Sequence, residues 1–125
     1  MPAKTSRPKR TMQVGGLLQK EISELLIRKI KDPRLEMVTI TGVKVSPDLK
    51  LARVYFSRFG SAEEIRQGLE GLQSASGFIK RELGQRLKLR HVPDLEFIHD
   101  ASFEYGDRIE SLLKGLFPDK GPVES

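Results

Sequence analysis

The sequence is informative first in what it lacks. Its 125 residues include no cysteine and no apolar run approaching the roughly 20 residues that span a bilayer. The absence of cysteine excludes disulfides, thiolate metal sites and cysteine nucleophiles. The N-terminus is basic and contains proline, without the apolar centre of a secretion signal. We therefore predict a soluble cytoplasmic protein without membrane contact, and the length fits one folded domain.

Signatures of catalysis are also missing. The sequence contains no phosphate-binding P-loop, no nucleophile elbow and no dinucleotide fingerprint. His91 and His99 are eight residues apart, close to Asp94 and Asp100, and this spacing does not match a compact metal-ligand motif. We interpret both histidines as structural or surface residues. The sequence thus predicts no enzyme, no cofactor and no metal, with a metal-dependent hydrolase as the alternative.

Positive charge is concentrated in the first half of the chain. The formal net charge is +5, and basic residues outnumber acidic ones by 13 to 5 through residue 60 and by 6 to 4 in residues 61–93. From residue 94 onward, 3 basic residues face 8 acidic ones. Such polarity favours a polyanion as partner, although basic segments are common in proteins with other roles. Charge alone leaves nucleic-acid binding and an ordinary solvated surface both open.

The first third of the chain predicts an arm and a helix. Residues 1–10 are basic, contain two prolines and lack enough apolar surface to fold alone, so we predict a flexible arm there. From about Thr11 an apolar stripe has helical spacing, formed by Val14, Leu18, Ile22, Leu25 and Leu26. We expect this helix to end before Pro33, which disfavours helical angles at the preceding residue.

Between Met37 and Ser57 the apolar period changes to two, which predicts a strand pair. Gly42 interrupts the alternation of the first strand and indicates a β-bulge. Ser46-Pro47-Asp48 is typical of a turn, and the connection is short enough for an antiparallel hairpin. The expected buried face contains Val38 and Ile40 in one strand and, in the other, Ala52, Val54 and Phe56.

The second half predicts two helices, a strand and a last helix. Ser61 to Glu64 has the form of a capping box, and apolar stripes follow on either side of a polar junction at 74–77. Asp94 to His99 predicts a third strand, and Ile109 to Leu116 a final helix before a disordered tail at 118–125. The predicted fold is therefore α+β, a single domain over residues 11–117 in the order α-β-β-α-α-β-α. A three-stranded sheet with helices packed on one face buries all of these stripes.

This order is similar to the type II KH domain, a reader of single-stranded RNA. The local sequence is more specific than this order. Its distinctive segments are Asp32-Pro33-Arg34-Leu35, Val38-Thr39-Ile40-Thr41, Val43-Lys44-Val45-Ser46, Asp48-Leu49, Ala52-Arg53-Val54-Tyr55, Arg90-His91-Val92-Pro93-Asp94-Leu95-Glu96-Phe97 and Asp100-Ala101-Ser102. With these segments, the chain from about Arg10 to Leu116 resembles the ribosome-binding factor A family.

The resemblance implies a monomeric cytoplasmic assembly factor of the bacterial small (30S) ribosomal subunit. It implies binding to the free or immature subunit and its rRNA, support of late 16S rRNA maturation including 5′-end processing, and a link to growth in the cold. Further partners implied are ribosomal proteins and a GTPase of subunit assembly that acts in release. In the family an Ala-x-Gly kink between paired helices replaces the GXXG loop of KH domains, and Ala75-Ser76-Gly77 matches it here.

Basic residues that follow this kink are the main candidates for RNA contact. The complete candidate set comprises Arg7, Lys9, Arg10, Arg28, Lys29, Lys31, Ser76, Gly77, Lys80, Arg81, Arg86, Lys88 and Arg90. At the kink itself, exposed amides at the start of a second helix would receive phosphate oxygens, whereas the plainer interpretation is that small residues let two helices pack.

Two alternatives qualify this hypothesis. A literal GXXG at Gly68-Leu69-Glu70-Gly71 is interpreted as helical, because Leu69 shares the stripe of Ile65 and Leu72 and Glu70 would repel phosphate. The second is a different function, in which the acidic C-terminal helix docks on a basic ribosomal protein and the basic segments only aid solubility. Charge reversal of the cations after the kink discriminates the two functions.

Overall fold

Two long helices and a three-stranded sheet make up the part of the chain that the computed structural model describes, residues 2–102, with side chains from residue 10 onward. The elements are α1 (Pro2–Arg28), a 3-10 turn (Pro33–Leu35), β1 (Thr39–Val45), β2 (Leu51–Ser57), α2 (Ala62–Leu87) and β3 (Asp94–His99). Neither helix of these residues is long and apolar enough to cross a membrane.

The core lies between the two helices and one face of the sheet, because each element has a single apolar face to bury. Strands contribute Ile40, Ala52, Val54, Phe56 and Phe97, and helices contribute Leu18, Ile22, Leu25, Leu72, Ile79 and Leu83. The predicted α+β class, with helices packed on one face of a three-stranded sheet, is confirmed.

The sheet has the order β1-β2-β3, with β1 antiparallel and β3 parallel to β2. The register shifts between Ile40 and Gly42, so the predicted bulge is confirmed and Thr41 is the extra residue. The Thr41 hydroxyl donates to Asp100 Oδ2 at 2.8 Å, which ties the bulge to the residue after β3. The turn between β1 and β2 is held by Asp48, whose carboxylate accepts from Ser46 and from the Lys50 amide.

Helix α1 begins earlier than the apolar pattern predicts. Its backbone is helical from Pro2, whereas the stripe begins at Val14. Lys, Arg and Ala are good helix formers, so a helix anchored by the buried Leu18, Ile22 and Leu25 extends N-terminally beyond its apolar stripe. Flexibility of residues 1–10 in solution stays a prediction.

The two helices predicted between Ser61 and Leu87 are one continuous helix, α2, and this part of the predicted order is wrong. The buried face runs without a break through Gly68, Leu72, Ala75, Ile79 and Leu83, at spacings of three and four residues. Gly77 shows no left-handed backbone, so it does not interrupt the helix. In the sequence the two apolar stripes are separated by a stretch of small and polar residues, 74–77, which the helix spans without interruption.

The literal GXXG is a packing surface within α2, as its helical interpretation predicts. A Cβ atom on Gly71 would lie 2.9 Å from Leu35 Cδ2, and one on Gly68 would lie 3.2 Å from Val38 Cγ2. Both glycines are buried and let the 3-10 turn approach the helix closely. The turn itself is held by Asp32, which caps the Arg34 amide at 2.9 Å and also binds the Arg34 guanidinium.

The capping box at the start of α2 is confirmed: the Ser61 hydroxyl accepts from the Glu64 amide, and the Glu64 carboxylate accepts from the Ser61 amide. The third strand is confirmed as β3. The predicted final helix at Ile109 to Leu116 and the tail at 118–125 lie outside the described residues.

Candidate nucleic-acid interface

Two of the candidate cations are engaged in ion pairs within the protein. Lys80 Nζ lies 2.8 Å from Asp94 Oδ1, joins α2 to β3 and lowers the pKa of Asp94. Arg86 lies 3.0 Å from Glu21 of α1 and is also paired with Glu24 and Glu82. The hydrogen bond that Arg86 donates to the Glu21 carboxylate raises the pKa of Arg86. Arg86 therefore links the two helices, and its guanidinium is already satisfied by carboxylates.

The remaining candidate cations with described side chains are exposed and form no ion pair with any carboxylate in residues 10–102. They are Arg10, Arg28, Lys29, Lys31, Arg81, Lys88 and Arg90. Arg81 packs instead against the Phe78 ring, with its guanidinium carbon 6.0 Å from the ring centroid. Cations that keep only water and counterions as partners gain most when phosphate replaces those counterions. Arg7 and Lys9 belong to the first turns of α1, where only the backbone is described.

Six of these seven cations fall into two groups, one at the C-terminal part of each helix. Arg86 near the C-terminus of α2 meets Glu21, whereas Gly71 meets the 3-10 turn that follows α1, so the helices run antiparallel. About 22 Å of helix separates residues 71 and 86. Arg81, Lys88 and Arg90 lie in the last two turns of α2 and just after it, a region that we call the α2 end. Arg28, Lys29 and Lys31 lie at the last residue of α1 and just after it, a region that we call the α1 end.

The predicted kink residues lie within the continuous helix. Ser76 is half-buried, and Gly77 is exposed with open space around its Cα. Amides inside a helix donate to carbonyls one turn earlier, so they are not free to bind phosphate. A contact at this position would use the Ser76 hydroxyl or a close approach to Gly77, on the same exposed ridge as Arg81.

The backbone at the end of α2 sets the position of Lys88. Lys88 adopts a left-handed conformation with φ of 53°, and its amide donates to the Gly84 carbonyl. A residue with a Cβ atom pays a steric cost there that glycine avoids. The helix thus ends on an exposed cation in a conformation that normally selects glycine.

Lys20 is a cation that the sequence pattern did not single out. It is exposed on α1 next to Glu21, the partner of Arg86, and so belongs to the α2 end. Sixty-six residues separate it from Arg86 in the sequence. Only the antiparallel packing of the two helices brings Lys20 near the α2 end, so no local sequence motif predicts its position there.

In the described part of the chain, His91 and His99 belong to no cluster of possible metal ligands. Among residues 2–102 no three His, Asp or Glu side chains are grouped so as to hold an ion. His99 packs against Phe56, with ring centroids 5.6 Å apart, and His91 is exposed.

Comparison with known proteins identifies the family. The family model of ribosome-binding factor A matches residues 10–113. The chain belongs to the ribosome-binding factor A family. Ribosome-binding factor A of Desulfatibacillum aliphaticivorans is 51% identical over 112 residues, which cover 90% of this chain and 91% of that protein.

Solved structures of ribosome-binding factor A share this fold. The crystal structure from Thermus thermophilus superposes with a TM-score of 0.64 at 27% identity, over 71% of this chain and 93% of that one. A second comparison, with a Thermus thermophilus ribosome-binding factor A model fitted into a cryo-EM map of a 30S complex, gives a TM-score of 0.56 at 28% identity. That match covers 67% of this chain and 88% of the fitted one.

Proposed function

We propose that this protein is a KH-like RNA-binding factor of ribosome biogenesis. It binds the free or immature small (30S) ribosomal subunit and assists late maturation of 16S rRNA, including processing of the 5′ end. Family membership supports this proposal, as does the fitting of the Thermus thermophilus relative into the map of a 30S complex. In this proposal the protein acts in the cytoplasm as a monomer.

One observation supports the proposed RNA contact: two candidate cations form ion pairs within the protein, whereas the others form none in the described residues. Lys80 and Arg86 are held by carboxylates, whereas Arg81, Lys88 and Arg90 extend from the α2 end without an ion pair in the described residues. Contact with phosphate fixes the position of a protein on RNA without requiring a sequence motif. The α2 end is therefore the proposed contact with rRNA.

In this proposal the protein acts through its binding energy and does not make or break covalent bonds. A protein that binds one arrangement of the rRNA more tightly than another shifts the population toward the first. In this proposal the factor stabilises a late precursor arrangement of the subunit until it is released. It needs no catalytic residue and no cofactor for that task.

Cosedimentation with purified 30S subunits at low salt tests the proposal. The test variant is Lys88→Glu/Arg90→Glu, and the matched control is Lys44→Glu/Lys50→Glu, which changes net charge equally on exposed residues away from both ends of the helix pair. We expect the first to lose cosedimentation and the control to keep it. Equal loss in both would show that only net charge matters.

The adaptor alternative makes the opposite prediction. If the acidic segment after residue 100 docks on a basic ribosomal protein, Lys88→Glu/Arg90→Glu keeps its affinity for the subunit. Nuclease-treated subunit proteins would then also retain the factor, which the RNA contact does not allow.

A further inference from the structure

A cleft beside the end of β3 adjoins the last residue that the structure describes, Ser102. The cleft has a volume of about 520 Å³. Its lining includes Met12 and Gly16 of α1, Val43 and Tyr55 of the β1–β2 hairpin, and Asp100 and Ser102. We call it the exit cleft, because the chain continues from its edge into residues 103–125.

The walls of the exit cleft are held in fixed positions. Helix α1 approaches β1 so closely that a Cβ atom on Gly15 would lie 2.6 Å from the Val43 carbonyl oxygen. The Asp100 amide donates to the Phe56 carbonyl at 2.7 Å, and the Asp100 carboxylate accepts from the Thr41 hydroxyl. The chain therefore leaves the sheet at a defined position beside the bulge.

The surface of the exit cleft leaves room for another element. Met12 is 74% exposed and lies one turn before Gly16 on the face of α1 that lines the cleft. A Cβ atom on Gly16, or on Gly42 in the opposite wall, would meet no atom within 4 Å. Glycine without such neighbours permits a close approach of backbone from another segment.

A helix begins at the edge of this cleft. The backbone is helical at Ala101 and Ser102. Aspartate is preferred just before the first turn of a helix, and Asp100 accepts from the Ser102 hydroxyl at 2.7 Å. The chain after β3 thus enters a helix with Ser102 on the side that lines the exit cleft.

The sequence after Ser102 continues the phase of this helix. Tyr105 is three residues after Ser102 and four before Ile109. The apolar stripe then continues through Leu112 and Leu116, at spacings of three and four. Residues at these spacings share one face of a helix. In one continuous helix the stripe therefore falls on the same side as Ser102.

We propose that residues 103–116 continue this helix and that its apolar stripe packs into the exit cleft of the same chain. Short helices are marginal in water and depend on packing of an apolar face for most of their stability. A segment tethered at Ser102 reaches an adjacent cleft at a high effective concentration, which favours it over a separate molecule. The occupant is thus identified by where the chain leaves the sheet and by the phase of its stripe. This docking does not depend on the RNA contact at the α2 end.

Amide chemical shifts of the full-length, isotope-labelled protein test this docking. The test variant is Ile109→Ser/Leu112→Ser, which removes two apolar side chains from the stripe. The matched control is Glu110→Ser/Lys114→Ser, which changes two residues of the same segment that lie off the stripe. Neither variant changes the net charge. We expect the test variant to shift the amides of residues that line the exit cleft, and the control to leave them at the parent positions.

The absence of cysteine allows a second measurement, because a single introduced thiol reports whether the cleft is covered. Met12→Cys places the thiol in the exit cleft, and Ile27→Cys places it at an exposed position of α1 outside the cleft. We expect Met12→Cys to be alkylated on the order of tenfold more slowly with the parent segment than with Ile109→Ser/Leu112→Ser, as for a site that opens about one-tenth of the time. The rate for Ile27→Cys should be the same in both backgrounds.

Three results would overturn the proposal. Unchanged amides in the exit cleft, or shifts of equal size in the control variant, would show that the stripe does not occupy the cleft. Equal alkylation of Met12→Cys in both backgrounds would show that the segment does not cover it. Protection that increases with protein concentration would assign the stripe to a second copy of the chain.

Discussion

At the scale of single residues, the glycines of α2 have distinct roles. Gly71 is buried against the 3-10 turn, whereas Gly77 has open space around it and is exposed. In the sequence the two look alike, since each is a glycine in a helical stretch. Their environments differ because one faces the Asp32-to-Leu35 turn and the other faces water.

Alanine substitutions at these two glycines should have opposite effects on stability. Gly71→Ala places a Cβ atom 2.9 Å from Leu35 Cδ2 and 3.2 Å from the Arg34 Cβ. We expect the resulting overpacking to lower the unfolding free energy by about 1–3 kcal/mol. Gly77→Ala meets no atom and should raise it by up to about 1 kcal/mol through helix propensity.

Urea denaturation of both variants measures this difference. If Gly71→Ala were as stable as Gly77→Ala, the close approach of the turn to α2 would be wrong. Binding of Gly77→Ala to 30S subunits provides a second result. Lost affinity with raised stability would place RNA against the bare backbone at this position.

At the scale of elements, the end of α2 combines a strained backbone with a charge. Lys88→Gly removes the side chain and relieves the left-handed conformation, for which glycine has no steric penalty. We expect the melting temperature to stay the same or rise, while affinity for 30S subunits falls by roughly threefold to tenfold as one phosphate contact is lost. Calorimetry and cosedimentation measure the two properties separately. Unchanged affinity would remove Lys88 from the proposed contact.

The start of α2 should make stability depend on pH. The Ser61 amide, with Arg58 nearby, lowers the pKa of Glu64 below its ordinary value of 4.5. Since the folded form favours the ionised carboxylate, its stabilisation is present above pH 4.5 and is lost as the pH falls through the lower folded value. Asp32 behaves in the same direction, because Arg34 lowers its pKa.

Glu64→Gln tests this dependence by thermal melting at several pH values. We expect the variant to melt a few degrees below the parent at pH 7. The difference should shrink as the pH falls below 4.5. Glu36→Gln, an exposed carboxylate without a hydrogen bond in residues 10–102, serves as control and should follow the parent. A constant difference across pH would contradict the role of Glu64 ionisation.

Most elements of this fold follow from local sequence rules, and their arrangement does not. The bulge at Gly42, the capping box at Ser61 and the buried faces of the strands are predictable because each depends on neighbours in sequence. The sequence pattern does not predict the continuity of α2, because Gly68, Gly71 and Ala75 face the core without a large apolar side chain. Which small residues face a partner depends on tertiary contacts that the pattern does not record.

The candidate interface likewise depends on tertiary contacts that the sequence pattern does not predict. Counting charges groups Lys80 and Arg86 with Arg81 and Lys88, since all four follow one another along α2 and its C-cap. Ion pairs with Asp94 and Glu21 separate the first two from the others. Asp94 is 14 residues from Lys80 in the sequence, and Glu21 is 65 residues from Arg86. The local spacing of charges therefore does not predict these two ion pairs.

At the scale of the whole molecule, the exposed cations form two groups, one at the C-terminal part of each helix. We expect the α2 end to determine how affinity for 30S subunits depends on salt. Removing two phosphate contacts with Arg81→Ala/Lys88→Ala should reduce the slope of log affinity against log salt by about 1.4, or about 0.7 per contact to single-stranded RNA. Binding measured over a series of potassium concentrations determines this slope.

The matched control removes two cations outside both ends. Lys44→Ala/Lys50→Ala lowers the net charge equally, and we expect its slope to equal that of the parent. A slope that falls equally in both double variants would mean that the subunit senses only the total charge of the factor.

The parallel pairing of β3 with β2 has a consequence for the protein during its synthesis. Arg53 and Glu96, which face each other across these strands, are 43 residues apart in sequence. The β1–β2 hairpin forms from neighbouring residues, whereas the other side of β2 stays unpaired until β3 leaves the ribosome and α2 folds back. During that interval a row of free backbone donors and acceptors is open to another chain. Slow elongation lengthens the interval, so the nascent hairpin is more exposed to intermolecular pairing than the finished sheet.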